Sequence, residues 1–233
     1  MPAPEQSPAF PSTRWSRILA PGDRRDLEAL ARDYAGPMRA YLAACTRTGG
    51  DALDDLAQEA FAWLLASGLL DKADPERGSF RGFLKRALRN FAIEQHRRNG
   101  AGKRGGGRSH ATLADVPEPV DERARTPEQA LDDAWRRELL QRAHERLRDE
   151  LQGGPRATHY LLFRDYFLQG DDAIDHAALA RRHGITRTDV ANWLDHAKRR
   201  YRALLRELVT ATVASAEELQ QELRWLFGEG RGA

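Results

Sequence analysis

The strongest constraint on this fold is a spacing. From Leu27 to Leu226 apolar residues recur every three or four positions, in runs separated by glycine and proline, and nowhere do they alternate in the two-residue rhythm of a strand. A stripe of that period can leave water only if each run coils into a helix and lays its stripe against another, so the predicted fold class is all-α. The first run puts Leu27, Leu30, Ala31, Tyr34, Met38, Tyr41, Leu42 and Cys45 on one face. Pro37 is expected to kink or divide it, and Gly49 and Gly50 to end it. A second helix, from about Asp51 to Ser67, buries Leu53, Leu56, Ala60 and Leu64. A third, from Ser79 to about Arg98, has Phe80, Phe83, Leu84, Ala87, Leu88 and Phe91 as its stripe and arginines on its other faces.

The glycines between Asn99 and Gly107 read as unable to sustain a helix, and the proline- and acid-rich stretch after them as a connector. A helix restarts at Thr126-Pro127-Glu128-Gln129, where Thr126 can cap and Gln129 can complete a capping box, and Leu131, Trp135, Leu139, Ala143 and Leu147 continue its stripe. Another apolar helix carries Tyr160, Phe163 and Phe167, and two more cover Asp175–His183 and Thr186 to about Val209. The 233 residues thus suit two helical domains: a disordered N-terminus over 1–12, a domain over 13–99 opening on a short helix capped by Thr13, a flexible linker over 100–125, a second domain over 126–210, and an extension over 211–233. The Leu219, Leu223 and Leu226 stripe of that extension is expected to dock on the second domain.

A net charge of +2 says little about partners, but its distribution says more. Between Arg77 and Arg108 there are ten basic residues and one acid, Glu94; from Ala114 to Asp133 the sign reverses; from Arg181 to Arg206 it turns basic again. Two cationic segments separated by an acidic one suit two contact points on a polyanion, because each lysine or arginine brought to a phosphate releases a counterion. No apolar run reaches the roughly 20 residues that span a bilayer, and a secretory leader is not expected, so the expected location is the cytoplasm. The lone Cys45 lies on an apolar stripe and reads as a small buried hydrophobe.

The segment from His176 to Leu194 fits a helix-turn-helix. Leu179 and Ala180 face the second helix, Gly184 takes the tight turn, Ile185 plugs the gap, Thr186 caps, and Val190 with Leu194 closes the core. Left outward are Arg187, Thr188, Asp189, Asn192, Trp193 and His196, with Lys198, Arg199, Arg200 and Arg202 beyond: early residues placed for base edges, later cations for phosphates. In the second helix Asp54, Asp55, Gln58 and Glu59 form a polar face. A metal or acid/base site there would call for a histidine, which the group lacks, and a protein-contact face is the better reading.

Asp54-Asp55-Leu56-Ala57-Gln58-Glu59-Ala60-Phe61 resembles the region 2 helix of sigma-70 family transcription factors, and Phe80 to Arg98, with Ala87-Leu88-Arg89-Asn90 followed by Glu94, Arg97 and Arg98, resembles the helix after it. The 176–194 segment is similar to region 4. The spacing of the three points to the compact extracytoplasmic function (ECF) subgroup, and the Thr13-Arg14-Trp15-Ser16 opening and Leu219–Phe227 tail resemble an arginine-rich branch of it. Ala57, Ala178 and Thr188 depart from the family pattern.

The resemblance implies two helical domains, a region 2 bundle and a region 4 helix-turn-helix, joined by a flexible linker. It implies a core-polymerase face on Asp54, Asp55, Gln58 and Glu59, held by the clamp helices of the largest subunit, and a minus-ten face on Arg81, Lys85, Arg86, Arg89, Asn90, Arg97 and Arg98. Arg187, Thr188, Asn192, Trp193, His196, Lys198, Arg199 and Arg200 would meet the minus-thirty-five element, with the polymerase flap nearby. The partners would be core RNA polymerase and promoter DNA, without insertion in a membrane; an anti-sigma factor is a partner the resemblance leaves open. No catalytic residue, metal or cofactor is implied. The alternatives are a helix-turn-helix regulator that works without polymerase, and a metal-dependent nuclease using Asp54, Asp55 and Glu59.

Overall fold

The computed structural model describes residues 24–46, 49–70, 72–74, 78–102, 125–168, 175–213 and 215–228. Among them are eight α-helices and no strand: α1 (Arg24–Cys45), α2 (Asp51–Ala66), α3 (Phe80–Gly102), α4 (Pro127–Gln152), α5 (Ala157–Phe167), α6 (His176–His183), α7 (Arg187–Thr210) and α8 (Ala216–Phe227). The expectations for residues 1–12, for the Thr13 helix and for the connector over 103–124 fall outside the described residues.

The periodic stripes form the cores. Tyr34, Met38, Tyr41, Leu42 and Cys45 of α1, Leu53, Ala60 and Leu64 of α2, and Phe80, Leu84, Ala87, Leu88 and Phe91 of α3 are buried. Each large side chain taken from water in this way contributes roughly 1.5–3 kcal/mol. Tyr34 meets Phe80 edge-on with ring centroids 4.7 Å apart, and Trp63 of α2 lies 5.6 Å from Phe91 of α3. Burial pushes the Cys45 thiol up to about 12, so it stays protonated and apolar in character.

Two expectations are corrected. Pro37 does not divide α1, which runs as one helix through it, and α3 continues past Arg98 to Gly102. A glycine weakens a helix by about 1 kcal/mol relative to alanine without forbidding it, so a helix can carry on through Gly100 to Gly102. Phe167 is 45% exposed at the end of α5.

The chain divides into two compact units, Met1–Glu138 with Thr210–Ala233, and Leu139–Val209. This differs from the boundaries expected from the sequence: the first turns of α4 and the whole of α8 belong with α1–α3. The physical reason is polar as well as apolar, since Glu222 and Trp225 of α8 and Asp132 and Trp135 of α4 converge on Arg81 of α3. The backbone N–H of Phe80 also donates to the carbonyl of Thr212, at 3.3 Å.

In the second unit Leu162, Leu179, Ala180, Val190 and Leu194 make one buried cluster, with Ile185 and Trp193 packed against it. Asp175 caps α6 through the Ala178 N–H, and Gly184 ends it at φ 65°, a left-handed conformation that disfavours any side chain. Thr186 and Asp189 then form a reciprocal cap: the Asp189 N–H donates to Thr186 Oγ1 at 3.1 Å and the Thr186 N–H to Asp189 Oδ2 at 3.2 Å. The Thr126–Gln129 box forms as its sequence predicts, with N–H donors satisfied in both directions at 3.0 and 3.2 Å.

Candidate functional site

Two surfaces of the first unit carry the sequence-predicted residues, one on α2 and one on α3. On α2, Asp54, Asp55, Gln58 and Glu59 are all exposed, but their surroundings differ. Asp54 is ion-paired to Arg39 of α1, and Glu59 accepts from Gln95 and lies 3.7 Å from Arg98. Between α1 and α2 runs a groove of about 650 Å³ lined by small or apolar residues, Ala31, Ala35, Gly36, Ala57, Phe61 and Leu65, together with Gln58 and the Arg39–Asp54 ion pair. Leu65 is 40% exposed. A largely apolar lining with a few polar groups is the composition of a protein-docking face, where burial supplies affinity and the polar groups set register. Among the described residues no group of three or more His, Cys, Asp or Glu is gathered for a metal ion.

α3 separates its cations. Arg86, Arg89, Asn90 and Arg97 are exposed. Arg98 is exposed too, but pairs with Glu94, which in turn accepts from Trp63 Nε1 at 2.8 Å. Arg81 and Lys85 are placed differently. The Arg81 guanidinium is buried, ion-paired to Asp132, and donates through Nη2 to both oxygens of Glu222 at 3.0 and 2.9 Å. Its carbon lies 4.0 Å from the Trp225 ring and 5.0 Å from Trp135, within cation–π range. Arg136 stacks on Trp225 at 4.4 Å and donates to its carbonyl at 3.2 Å. Lys85 Nζ reaches Asp132 at 2.6 Å.

Arg81 and Lys85 therefore leave the exposed minus-ten set read from the sequence. A cation already matched by carboxylates has little charge to offer a phosphate, and Arg81 has no solvent face to offer it from. Asp132, Trp135, Glu222 and Trp225 escaped sequence reasoning because they lie far from Arg81 along the chain, Glu222 by 141 residues. A partial signal was available: Arg81 stands seven and eleven positions before Leu88 and Ala92, both buried, which puts it at the edge of the apolar arc.

In the second unit Arg187, Thr188 and Asn192 are exposed at the start of α7. Trp193 is half-buried, its ring stacked on His159 of α5 at 5.0 Å. His196 is 3.2 Å from His159, nitrogen to nitrogen. Lys198 sits 5.4 and 5.1 Å from the centres of the Tyr166 and Phe167 rings. Arg199 pairs with Asp195, and Arg200 donates to Glu150 at 2.6 Å and to Glu207 at 2.9 Å. The hydrogen bond from Arg200 holds the Glu150 carboxyl below its ordinary value. Burial alone would raise Asp165; hydrogen bonds from Arg164 and His183 outweigh it and leave that carboxyl low, pinning α5 to α6.

The helices that carry the first two surfaces have a counterpart among known families. Residues 30–102 match the model of sigma-70 region 2. The match begins inside α1 and ends with α3, so it takes in the α2 face, the groove and all the exposed cations of α3, and supports a sigma-70 family member. A sigma-70 region 2 implies contacts to core RNA polymerase and to promoter DNA. Residues from α4 onward lie outside the match. No curated protein and no solved structure matches the chain. No helix among the described residues is long and apolar enough to cross a membrane.

Proposed function

We propose that this chain is an RNA polymerase sigma factor of the ECF type, acting in the cytoplasm without chemistry of its own: it docks on core polymerase, recognises the minus-ten and minus-thirty-five elements, and helps open the DNA. The observation that carries this reading is the pairing, inside one region 2 match, of a largely apolar groove on α1 and α2, lined also by Arg39, Asp54 and Gln58, with an exposed set of Arg86, Arg89, Asn90 and Arg97 on α3. The groove takes the clamp helices of the largest subunit, with Gln58 as a polar contact in its lining and the exposed Asp55 beside it on α2. The arginines of α3 hold phosphates, and Asn90 offers donor and acceptor to an unstacked base.

Opening costs roughly 1.4 kcal/mol of stacking per base-pair step. Capture of one or two flipped bases, at roughly 1–3 kcal/mol each, offsets much of that cost for a short bubble. In the second unit, α6, the Gly184 turn and α7 serve as the helix-turn-helix of region 4, with Arg187, Thr188 and Asn192 entering the major groove at the minus-thirty-five element and the polymerase flap beside it. An anti-sigma factor, where one exists, would compete for these same faces.

Run-off transcription tests the proposal. Core polymerase with this chain should initiate at discrete sites on its own genomic DNA, and core alone should not. Equal transcripts with and without the chain would remove the reading, and specific DNA binding without any effect on core would favour the regulator instead.

A further inference from the structure

At the junction of α5 and α7, Trp193 and His196, which the resemblance places at the minus-thirty-five element, meet Arg156 and His159, which neither the family match nor the proposed promoter contacts assign. Arg156 precedes α5, His159 lies in its first turn, and Trp193 and His196 lie on α7. Arg156 Nη1 is 3.3 Å from His196 Nε2, and His196 Nδ1 is 3.2 Å from His159 Nδ1. A guanidinium can only donate, so His196 Nε2 must be the bare acceptor nitrogen. A neutral imidazole has one N–H, which then sits on His196 Nδ1 and donates to His159 Nδ1. His159 must accept there and carry its own hydrogen on Nε2. On its other side the His159 ring lies parallel to Trp193, with an interplanar angle of 16° and centroids 5.0 Å apart.

His159 is neutral in this arrangement, and it cannot take up a proton without breaking the chain. A proton on His159 Nδ1 would face the N–H of His196, and moving that hydrogen to His196 Nε2 would set it against Arg156. The charged and titratable groups acting on His159 are His196 from α7 and Arg156 from its own segment, and Asp195, beside His196, is occupied by Arg199. Burial, then His196, then Arg156 hold His159 below its ordinary value of 6.5.

The geometry points to His159 as a positioning residue for the recognition surface of α7: as a neutral imidazole it accepts from His196 while stacked on Trp193, and taking up a proton breaks the Arg156–His196–His159 chain and frees the His196 side chain, while the stack on Trp193 persists as a cation–π contact. Sequence discrimination by α7 is then proton-linked, full at neutral pH and reduced in acid, while phosphate attraction persists or grows. This rests on the reading that α7 enters DNA, and two measurements separate the two claims.

The first needs no DNA. Nitrogen-15 spectra of the histidines in the full chain should show His196 as the Nδ1–H form and His159 as the Nε2–H form, and His159 should titrate below 6.5. The Nε2–H form at both positions would overturn the inference outright. The second uses a duplex enriched by selection on the wild-type chain near pH 7.5 and a shuffled duplex of equal composition, compared near pH 7.5 and near pH 5.5, either side of the ordinary histidine value of about 6.5.

The preference of the wild type for the selected duplex should fall about fivefold to tenfold in acid, on the scale of one hydrogen bond. His159→Gln, which accepts but does not titrate, should keep its preference at both pH values. His159→Phe, which stacks but cannot accept, should show the reduced preference at both. Identical pH dependence in the wild type and His159→Gln would overturn the positioning role. If either variant unfolds, the wild-type spectra still decide. A chain with the expected imidazole pattern that binds neither duplex would instead refute the DNA reading of α7, and the recognition role with it.

Discussion

Helices α3 and α7 are the two long basic helices among the described residues, and each matches some of its cations with carboxylates while leaving others in solvent. In α3 the early cations, Arg81 and Lys85, are neutralised by Asp132 and Glu222, while Arg86, Arg89 and Arg97 face solvent. In α7 the early Arg187 is exposed, and Arg199 and Arg200 farther on are matched by Asp195, Glu150 and Glu207. Counting basic residues therefore overstates both surfaces. What reaches a polyanion is the subset left without carboxylates, and that subset is set by tertiary neighbours.

The largest effect expected from this contrast is on stability, and it belongs to α3. Arg81→Ala strands Glu222 beside Trp225, leaving Asp132 to Lys85 alone, and should cost about 3–5 kcal/mol, read as a lowered denaturant midpoint. A chain ended before Ser215, which lacks α8, should lose a comparable amount. A neutral result for either would mean that the Arg81 cage is not what joins α8 to α1–α3.

Next comes DNA affinity. Arg89→Ala with Arg97→Ala should reduce the slope of log affinity against log salt by about 2, at roughly 0.9 per phosphate contact, and leave the denaturant midpoint within about 0.5 kcal/mol. An unchanged slope would erase the distinction between the inner and outer cations of α3. Smaller again is an effect of acid on the second unit. His159 is held low, so the unfolded chain binds its proton first and stability is lost as pH falls through 6.5; the Asp165 contribution is lost only lower, as pH falls through 3.8. The urea midpoint of the wild type should drop across the upper range, and that of His159→Gln should drop less. Smallest is Arg200→Ala: its ion pairs are a third or more exposed, and the loss should be no more than about 1 kcal/mol.

Much of the architecture could be read from the sequence because it depends on local rules. The three- and four-residue stripes located the buried Leu53, Ala60 and Leu64, the Thr126–Gln129 box formed as its spacing predicts, Thr186 capped α7 with an answering bond from Asp189 that the sequence reading did not include, and Gly184 took the left-handed turn. The α2 acids and α3 cations were visible as residue types on known faces. Their partners were not. Whether Arg81 faces a phosphate or a glutamate is decided 141 residues away, and the His159–His196 pair joins positions 37 apart on different helices. Helical period cannot report either. The docking of α8 on the first unit was missed for the same reason: its leucine stripe says that it packs, and only Glu222 and Trp225 say where.

The most direct test places a photo-crosslinking side chain at position 58 in the lining of the α1–α2 groove, and in a second protein at position 89 on the outer face of α3, each assembled with core polymerase and promoter DNA. Position 58 should join the polymerase largest subunit and position 89 the DNA near its minus-ten element. Crosslinks from position 89 to polymerase alone, or none from position 58 in an assembly that does form, would contradict the division of labour proposed for these two helices.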